Sequence, residues 1–242
     1  MNYRILFFAM MCIVVVAFST RTIYAQAGDR KLEVGVQFST LDLSIGRATV
    51  FSTFPCFVPP CPVTQTTTGQ REMEPGLGAR LGYNFNRFFA IEAETNFFPR
   101  KRQFEGGRKV QLLAGAKVGK RFEKFGVFAK ARPGLLRSSE GDYQFGNGGC
   151  VAVFPPPLSC FDPITKTSFA FDAGGIVEVY PTAHTLIRFD AGDTMVSYKA
   201  RNVAVVIDPN NGVPPFARVV VIPAPAQTVH NLQLSVGVGF RF

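Results

Sequence analysis

Several residue types and patterns that define other protein classes are scarce or missing in this sequence. There is no tryptophan, there are only two histidines, and one of the five cysteines, Cys12, lies in the N-terminal segment. Beyond that segment no run of about 18 apolar residues occurs, which excludes a helical membrane protein. The scarcity of histidine argues against a zinc site, and no nucleic-acid-binding motif is present. We therefore expect no metal, no cofactor and no nucleic-acid partner.

The N-terminal segment has the parts of a secretory signal peptide. Residues 5–18 form an apolar run, Arg4 precedes it, and Ala25-Gln26-Ala27 supplies a cleavage site of small residues. The alternative is a retained membrane anchor, but the run is shorter than the roughly 20 residues that cross a bilayer. We predict a signal peptide at residues 1–27 and one mature domain at residues 28–242.

The chain is basic, with a formal net charge of +9. Removal of the signal takes away two arginines and no acid, which leaves +7. In an exported protein this charge first meets lipid phosphates or surface polysaccharide rather than nucleic acid.

The four cysteines of the mature chain fall into two close pairs in proline-rich segments, Cys56 with Cys61 and Cys150 with Cys160. An exported chain reaches an oxidising compartment, so two local disulfides are the favoured prediction. The alternative pairing joins the two segments to each other.

Apolar and polar residues alternate through most of the mature chain. In residues 228–242 the even positions from Leu232 to Phe242 are apolar, while the odd positions from Asn231 to Arg241 are small or polar. This period of two is typical of a strand with two different faces. Eight segments show it: residues 31–43, 75–85, 88–98, 108–119, 125–137, 167–180, 185–197 and 228–242.

The connections between these segments also form a pattern. Three tight ones, at residues 85–88, 120–125 and 180–185, fall at one end of the predicted sheet, and the longest ones fall at the other end. Outer-membrane barrels have an even strand number, short periplasmic turns and longer external loops. We predict an all-β fold, an eight-stranded antiparallel up-and-down transmembrane β-barrel.

A water-soluble β-sandwich or cup would show the same alternation, with its apolar face turned inward. Three features favour the membrane barrel. Aromatic residues concentrate near the predicted strand ends, the polar face is rich in glycine, and the chain ends at Phe242.

The ending Val236-Gly237-Val238-Gly239-Phe240-Arg241-Phe242 resembles the terminal-strand signal of bacterial outer-membrane proteins. With the signal peptide and eight strands, the whole mature chain resembles the small bacterial outer-membrane β-barrel family, which includes the OmpA membrane domain and OmpX. The resemblance implies a bacterial outer-membrane location and insertion by the outer-membrane barrel assembly machinery, with Phe240 and Phe242 as the assembly signal. The peptidoglycan-binding domain of OmpA-like proteins does not follow the barrel, so cell-wall tethering is not expected. Pro133 departs from the pattern and predicts a bulge or an early end of the fifth strand.

The polar faces of the predicted strands place many charges inside the barrel. They could form a conducting pore or a proton path, but an eight-stranded barrel is barely wide enough for its own side chains. We therefore favour a packed interior in which charges of both signs are paired. The set comprises Arg80, Glu92, Glu94, Lys109, Lys117, Lys130, Arg132, Asp172, Glu178, Arg188 and Asp190.

Catalysis has few candidate residues. His184 falls in a predicted turn, and His230 opens the last strand near the outer rim, with Ser197 and Tyr198 expected across the sheet. No His-x-Ser motif accompanies it, so we predict no enzymatic activity, with a lipid A-modifying hydrolase at the rim as the alternative. Asp190 and Asp193 have an odd spacing that sends them to opposite faces of a strand, which disfavours a metal site.

The external loops are where a binding function is expected. Arg100, Lys101, Arg102 and Arg108 are predicted to contact lipopolysaccharide phosphates, the alternative being a solvated basic tip. Residues 203–207 and 217–222 flank a turn signal and predict a protruding hairpin. We predict a monomeric barrel with a structural or adhesive role toward an external surface ligand; a narrow channel is a further alternative.

Overall fold

The computed structural model describes residues 30–44, 48–53, 63–68, 71–100, 106–146, 157–207 and 218–242. Most of these residues lie in β-strands, and the 3₁₀ turn Leu158–Cys160 is the one helical element in this part of the chain. No helix within the described ranges is long and apolar enough to cross a membrane.

Eight antiparallel strands close into one barrel, which confirms the predicted fold. The barrel strands are β1 Leu32–Ser44, β4 Arg71–Asn84, β5 Phe89–Phe98, β6 Lys109–Arg121, β7 Phe125–Phe145, β8 Phe161–Val179, β9 Thr185–Tyr198 and β12 Gln227–Arg241. They follow one another around the barrel in chain order, and β1 pairs with both β4 and β12 to close the sheet.

Two hairpins are inserted between barrel strands. The first pairs β2 Ala48–Thr53 with β3 Val63–Thr68, between β1 and β4. The second pairs β10 Arg201–Ile207 with β11 Arg218–Ala224, between β9 and β12. Short turns join β4 to β5, β6 to β7 and β8 to β9 at what we call the turn end, and both hairpins connect strands at the opposite, loop end.

The two faces of the barrel wall differ sharply. Apolar side chains point outward, so that Leu77 is 67% exposed, whereas Arg132 in the interior is 0% exposed. A water-soluble cup would enclose its apolar face and show the reverse. The direction of the side chains thus decides between the two folds that the alternation left open.

The outward apolar band has about the height of a bilayer core. On β7 it runs over the 11 residues from Phe125 to Leu135, and the next outward residue is Arg137. At about 3.3 Å per residue and a tilt of about 45°, such a segment covers roughly 25 Å. Aromatic rings border the band at the turn end, where Phe122 stacks on Phe125 with ring centroids 4.6 Å apart.

The strands β7 and β8 are longer than the alternation predicts. Part of the expected loop at residues 138–166 continues them, since β7 runs to Phe145 and β8 begins at Phe161. The pairing register shifts between Ser138 and Asp142, beyond the apolar band.

The prediction of a bulge or strand end at Pro133 is wrong. The strand β7 continues through Pro133, which pairs with Phe171 on β8. On the β6 side the pairing is interrupted at Pro133, between Leu113–Gly134 and Ala116–Ala131, but the register is the same on both sides of the gap. Proline lacks an N–H and cannot donate a backbone hydrogen bond to the neighbouring strand, but the hydrogen bonds of the residues around it keep the strands in register.

Candidate functional site: a filled barrel and its loop end

The centre of the barrel is filled by ion pairs, some between neighbouring strands and some across the barrel. Arg188 on β9 donates two hydrogen bonds to Glu92 on β5, with Nη1–Oε2 at 2.6 Å and Nη2–Oε1 at 2.9 Å. Arg132 on β7 contacts Glu92 at 3.0 Å and Glu94 at 2.5 Å, and its Nε donates to Asp172 at 2.8 Å. These contacts satisfy charges that would be costly to bury alone.

A glycine leaves room for this network. A Cβ atom on Gly192 would lie 2.8 Å from Asp172 Oδ1 and 2.9 Å from Lys130 Cε. Lys130 bridges Asp172, at 2.7 Å, and Asp190. The small residues of the inward face therefore make space for long charged side chains.

A second charged layer lies toward the turn end. Lys117 bridges Glu33 at 2.9 Å and Glu178 at 2.6 Å. Arg121 donates to Glu33 at 3.1 Å and to the Tyr180 hydroxyl at 3.0 Å. Glu33 and Arg121 were not in the predicted charged set, although their positions in the strands' alternating pattern place them on the inward face.

A belt of amides and hydroxyls lies on the other side of the central ion pairs. Gln111 on β6 donates to Gln233 on β12 at 2.9 Å, which joins opposite walls of the barrel. Asn96 donates to Gln111 at 2.9 Å, and Ser39 donates to Asn96 at 2.9 Å. Thr194 adds a hydrogen bond to Gln233 at 2.7 Å.

An apolar plug closes the interior toward the loop end, a feature that the sequence reasoning missed. The sequence of β1 could have predicted it, because the inward positions change from polar at Glu33 to apolar at Leu41 and Leu43. The side chains of the plug are buried and pack on one another: Leu41, Leu43, Phe98, Leu113, Leu136, Ala170 and Val196.

The structure places every predicted interior charge inside the barrel. All eleven side chains are at most 5% exposed. Lys109 lies nearest the loop end, where it contacts Glu74 at 2.5 Å. The network also includes Arg241, whose Nε lies 3.3 Å from Glu33.

Beyond the apolar band, the hairpin of β10 and β11 is fixed to β7. The backbone N–H of Asn202 donates to Asp142 at 2.9 Å, and the Asn202 amide donates to the Tyr143 carbonyl at 2.8 Å. Tyr143, Ala204 and Val221 form a small buried cluster. We call this unit, made of β10, β11 and residues 138–145 and 161–166, the outer platform.

The carboxylate of Asp142 holds the outer platform together. Burial alone would raise its pKa, but hydrogen bonds from Lys166 and from the backbone N–H groups of Asn202 and Tyr143 bring the pKa below the ordinary aspartate value. The Lys166 Nζ–Asp142 Oδ2 distance is 2.8 Å. The folded platform therefore favours the ionised carboxylate.

The predicted basic cluster lies at the loop end of β5 and β6. Arg100 and Arg108 are exposed there, and Arg100 donates to the Met73 carbonyl at 3.4 Å. Lys101 and Arg102 lie outside the described residues. The structure adds Arg137, which is exposed on β7 just beyond the apolar band.

His230 lies on the outward face and contacts an acid that the sequence reasoning had set aside. Its Nδ1 is 2.6 Å from Asp193 Oδ2, and Asp193 Oδ1 accepts the backbone N–H of Asn231 at 3.1 Å. Ser197 is exposed two residues beyond Met195, the residue that pairs with His230.

The other residues predicted near His230, and those considered for a metal site, do not come together in the structure. Tyr198 packs against the plug, and Asp190 points inward while Asp193 points outward. Within the described ranges no three His, Cys, Asp or Glu side chains gather in a metal-binding group. His184 lies at the turn end, where its ring contacts the Arg30 guanidinium.

The last strand closes the barrel. Phe240 pairs with Val34 on β1 and with Thr185 on β9, and Phe242 donates its N–H to the Leu32 carbonyl at 2.9 Å. Both phenylalanine side chains are exposed on the outward face.

One predicted disulfide cysteine is described. Cys160 is buried in the 3₁₀ turn before β8. Cys56, Cys61 and Cys150 lie outside the described residues, so the pairing of the four stays a prediction.

A closed eight-stranded sheet with an apolar outer band and an ionic interior defines a transmembrane β-barrel of the bacterial outer membrane. The sequence profile of the family described as outer membrane protein beta-barrel domain matches residues 10–242, and the chain belongs to this family. The predicted location in the bacterial outer membrane is thereby confirmed. In such barrels the short turns are periplasmic and the long connections external.

Solved structures similar to this chain include three outer-membrane or surface proteins. Neisserial surface protein A is 13% identical, with 87% of this chain and 97% of that chain covered and a TM-score of 0.42. Ail, the attachment invasion locus protein of Yersinia pestis, is 13% identical, with 89% and 99% covered and a TM-score of 0.39. OprG from Pseudomonas aeruginosa is 10% identical, with 89% and 97% covered and a TM-score of 0.41. None of the curated proteins compared matches the chain.

Proposed function

We propose that this protein is a non-catalytic, monomeric surface protein of the outer membrane that binds an external ligand through its outer platform. The observation that carries the proposal is the fixing of the β10–β11 hairpin to β7 through Asn202 and Asp142. A binding surface of this kind is a connection held by a rigid scaffold.

The length of this connection supports the proposal. Tyr198 on β9 already pairs with Gln227 on β12, so a two-residue turn would suffice to join the strands. The chain instead inserts 28 residues, 199–226, and orders part of them as a hairpin. Since the barrel interior is filled, the external surface is where a ligand has access.

Charge favours an acidic polysaccharide as the ligand class. Lys199 is exposed beside the hairpin, Arg201 is partly exposed on β10, and Lys166 is partly exposed on the neighbouring strand β8. Guanidinium and ammonium groups bind sulfate and carboxylate groups by charge-assisted hydrogen bonds.

The test uses bacteria that display the full chain and attach to a surface coated with heparin, as a polyanionic probe, or with neutral dextran. Replacement of residues 199–226 by Asn-Gly should abolish attachment to heparin while the barrel still assembles, which a heat-shifted gel band reports. Lys124→Ala, at a periplasmic turn, is the control and should leave attachment unchanged. Equal attachment with and without the hairpin would refute the proposal.

We also propose that exposed arginines at the loop end bind lipopolysaccharide phosphates. Arg100 and Arg108 lie at the end of the apolar band, and Lys101 and Arg102 are adjacent to Arg100 in sequence. A phosphate at that height would accept charge-assisted hydrogen bonds from them.

The C-terminal strand supports a proposed contact with the barrel assembly machinery. Phe240 and Phe242 are exposed on its outward face, where an assembly factor has access to them.

Two local disulfides, Cys56–Cys61 and Cys150–Cys160, are proposed to cross-link the external loops. Peptide mapping without reduction distinguishes them from the alternative pairing, which joins the two loops to each other.

A second candidate function is lipid ester hydrolysis at the outer rim. The Asp193 contact to His230 Nδ1 at 2.6 Å favours it, because a carboxylate that orients histidine prepares the ring as a general base. Ser197, exposed on the same outward face, would be the nucleophile. Mass spectrometry of lipid A incubated with the protein tests it: release of a fatty acid that is lost in both Ser197→Ala and His230→Ala would establish hydrolysis, and no release would exclude it.

A further inference from the structure

A groove lies in the lipid-facing wall of strands β4 to β7 and reaches Val34 on the adjoining strand β1. Its volume is about 570 Å³, within the range of roughly 300–1,000 Å³ typical of small-molecule pockets. Its lining includes four small or compact outward side chains, Ala79, Ala93, Ala114 and Pro133, together with the larger Leu112 and Leu135.

The residues that form the groove come together through strand register. Ala93 on β5 lies directly opposite Ala114 on β6, and Ala79 lies opposite Thr95. Leu112 lies opposite Leu135 on β7. Small residues on three adjacent strands therefore fall side by side.

The β7 end of the groove lies in the external half of the apolar band, and the groove continues from there across β6, β5 and β4 toward Val34 on β1. On β7, Pro133 is eight residues from Phe125 at the periplasmic end but four from Arg137 at the external end. Arg137 follows Leu135 by two residues on the same face, about 7 Å along the strand. The β7 end of the recess is therefore open to the outer leaflet and lies directly below a cation.

A second arginine lies beside Arg137. Val110 on β6 pairs with Arg137, and Arg108 is two residues beyond Val110 on the same outward face. Such diagonal neighbours are about 7–8 Å apart, within the reach of two guanidinium groups toward one phosphate. Ser139 fixes the backbone of Arg108, because its Oγ accepts the Arg108 N–H and its own N–H donates to the Arg108 carbonyl, both at 2.9 Å.

Both guanidinium groups are available for a ligand. Arg108 and Arg137 are exposed, and no carboxylate in the described part of the chain lies within ion-pair distance of either. A phosphate-bearing lipid with several acyl chains complements this arrangement, since its head group and one chain would meet the arginines and the groove together.

We propose that the groove on β4 to β7 holds one acyl chain of lipid A while Arg108 and Arg137 bind a lipid A phosphate. The inference rests on the lipopolysaccharide contact proposed above, adds Arg137 and the groove to it, and is independent of the outer platform. It makes this face of the barrel a specific lipid site rather than a generic wall.

The experiment measures lipid A binding to the full mature chain in neutral detergent by native mass spectrometry. The Arg108→Ala/Arg137→Ala variant should weaken binding at least about tenfold, because hydrogen bonds to charged groups are each strong enough for such a factor. Lys120→Ala/Lys124→Ala removes two exposed cations at the periplasmic end and should not change binding. Dephosphorylated lipid A should bind about as weakly as lipid A binds to the arginine variant.

The groove has its own variants. Ala93→Leu and Ala114→Leu fill it, whereas Ala191→Leu makes the same change on β9 outside it. The first two should weaken binding of lipid A and the third should not, while all three keep the heat-shifted band of a folded barrel.

The outcomes distinguish the two parts of the proposal, the phosphate contact and the acyl-chain site. Loss of binding in the arginine variant with normal binding in both groove variants would leave the phosphate contact and overturn the acyl-chain site. Unchanged binding in the arginine variant and in the groove variants would overturn both.

Discussion

Arg188 on β9 and Glu92 on β5 form a doubly hydrogen-bonded ion pair across the full width of the barrel, with contacts of 2.6 and 2.9 Å. Three strands separate β5 from β9 along either side of the closed sheet. A direct contact between opposite walls leaves no continuous opening at that level. The interior of the barrel is therefore a packed core built from charged side chains, and not a pore.

Breaking this pair should destabilise the barrel strongly. Arg188→Ala leaves Glu92 buried without its main cation, and removing one partner of a buried pair costs about 3–5 kcal/mol. Urea unfolding in lipid vesicles measures the change. Arg87→Ala, at an exposed periplasmic turn, is the control; equal stability of the two variants would contradict the assigned role of the pair.

The filled interior should not conduct ions. The Gln111–Gln233 contact and the apolar plug add two further closures above the Arg188–Glu92 pair. We expect no conductance steps from the pure protein in a planar bilayer. Reproducible steps in single-channel recordings would support the narrow channel instead.

Two adjacent phenylalanines should respond differently to truncation. Phe98 is 0% exposed in the plug, whereas Phe97 is 44% exposed on the lipid face. Phe98→Ala should lower the free energy of unfolding by about 3–5 kcal/mol, because it opens a cavity, and Phe97→Ala should lower it much less. Similar losses would mean that the plug is not a packed core.

The outer platform should loosen in acid. Its folded state lowers the pKa of Asp142, so this contribution to stability is complete above the unfolded pKa, about 3.9, and is lost as the pH falls through the lower folded value. The Asn202 amide resonance in an NMR titration reports the change. Asp142→Asn should remove the titration, and a persistent titration would assign it to another group.

The terminal phenylalanine should matter more for assembly than for stability. Phe242→Ala should reduce the amount of barrel in outer membranes of living cells but not spontaneous refolding in detergent. Phe85→Ala changes an equally outward aromatic at the periplasmic end and serves as the control. Equal outer-membrane levels of Phe242→Ala and the unaltered chain would contradict the assembly signal.

Part of the external architecture could be predicted from short-range patterns. The turn signal at residues 208–212 and its flanking apolar segments predicted the pairing of β10 with β11. The attachment of that hairpin to Asp142 could not be predicted, because the contact spans 60 residues and depends on where β7 extends beyond the membrane. Arg137 was likewise missed as a rim residue, because its height becomes apparent only when β7 is aligned with β6.

The alternation in the sequence by itself determined where the eight strands lie and which side chains share a face, because side chains along a strand alternate with a period of two. Which of the two faces meets lipid was decided by the tertiary structure, which turns the apolar face outward. The alternation placed the charges together on one face, but not in contact with particular partners. The ion-pair partners were decided by tertiary structure alone. Closure of the barrel brings Arg188 and Glu92, which are 96 residues apart in the sequence, into direct hydrogen-bonded contact. The groove beneath Arg137 was decided in the same way, since register between adjacent strands, and not the order of residues in any one of them, places the small side chains together.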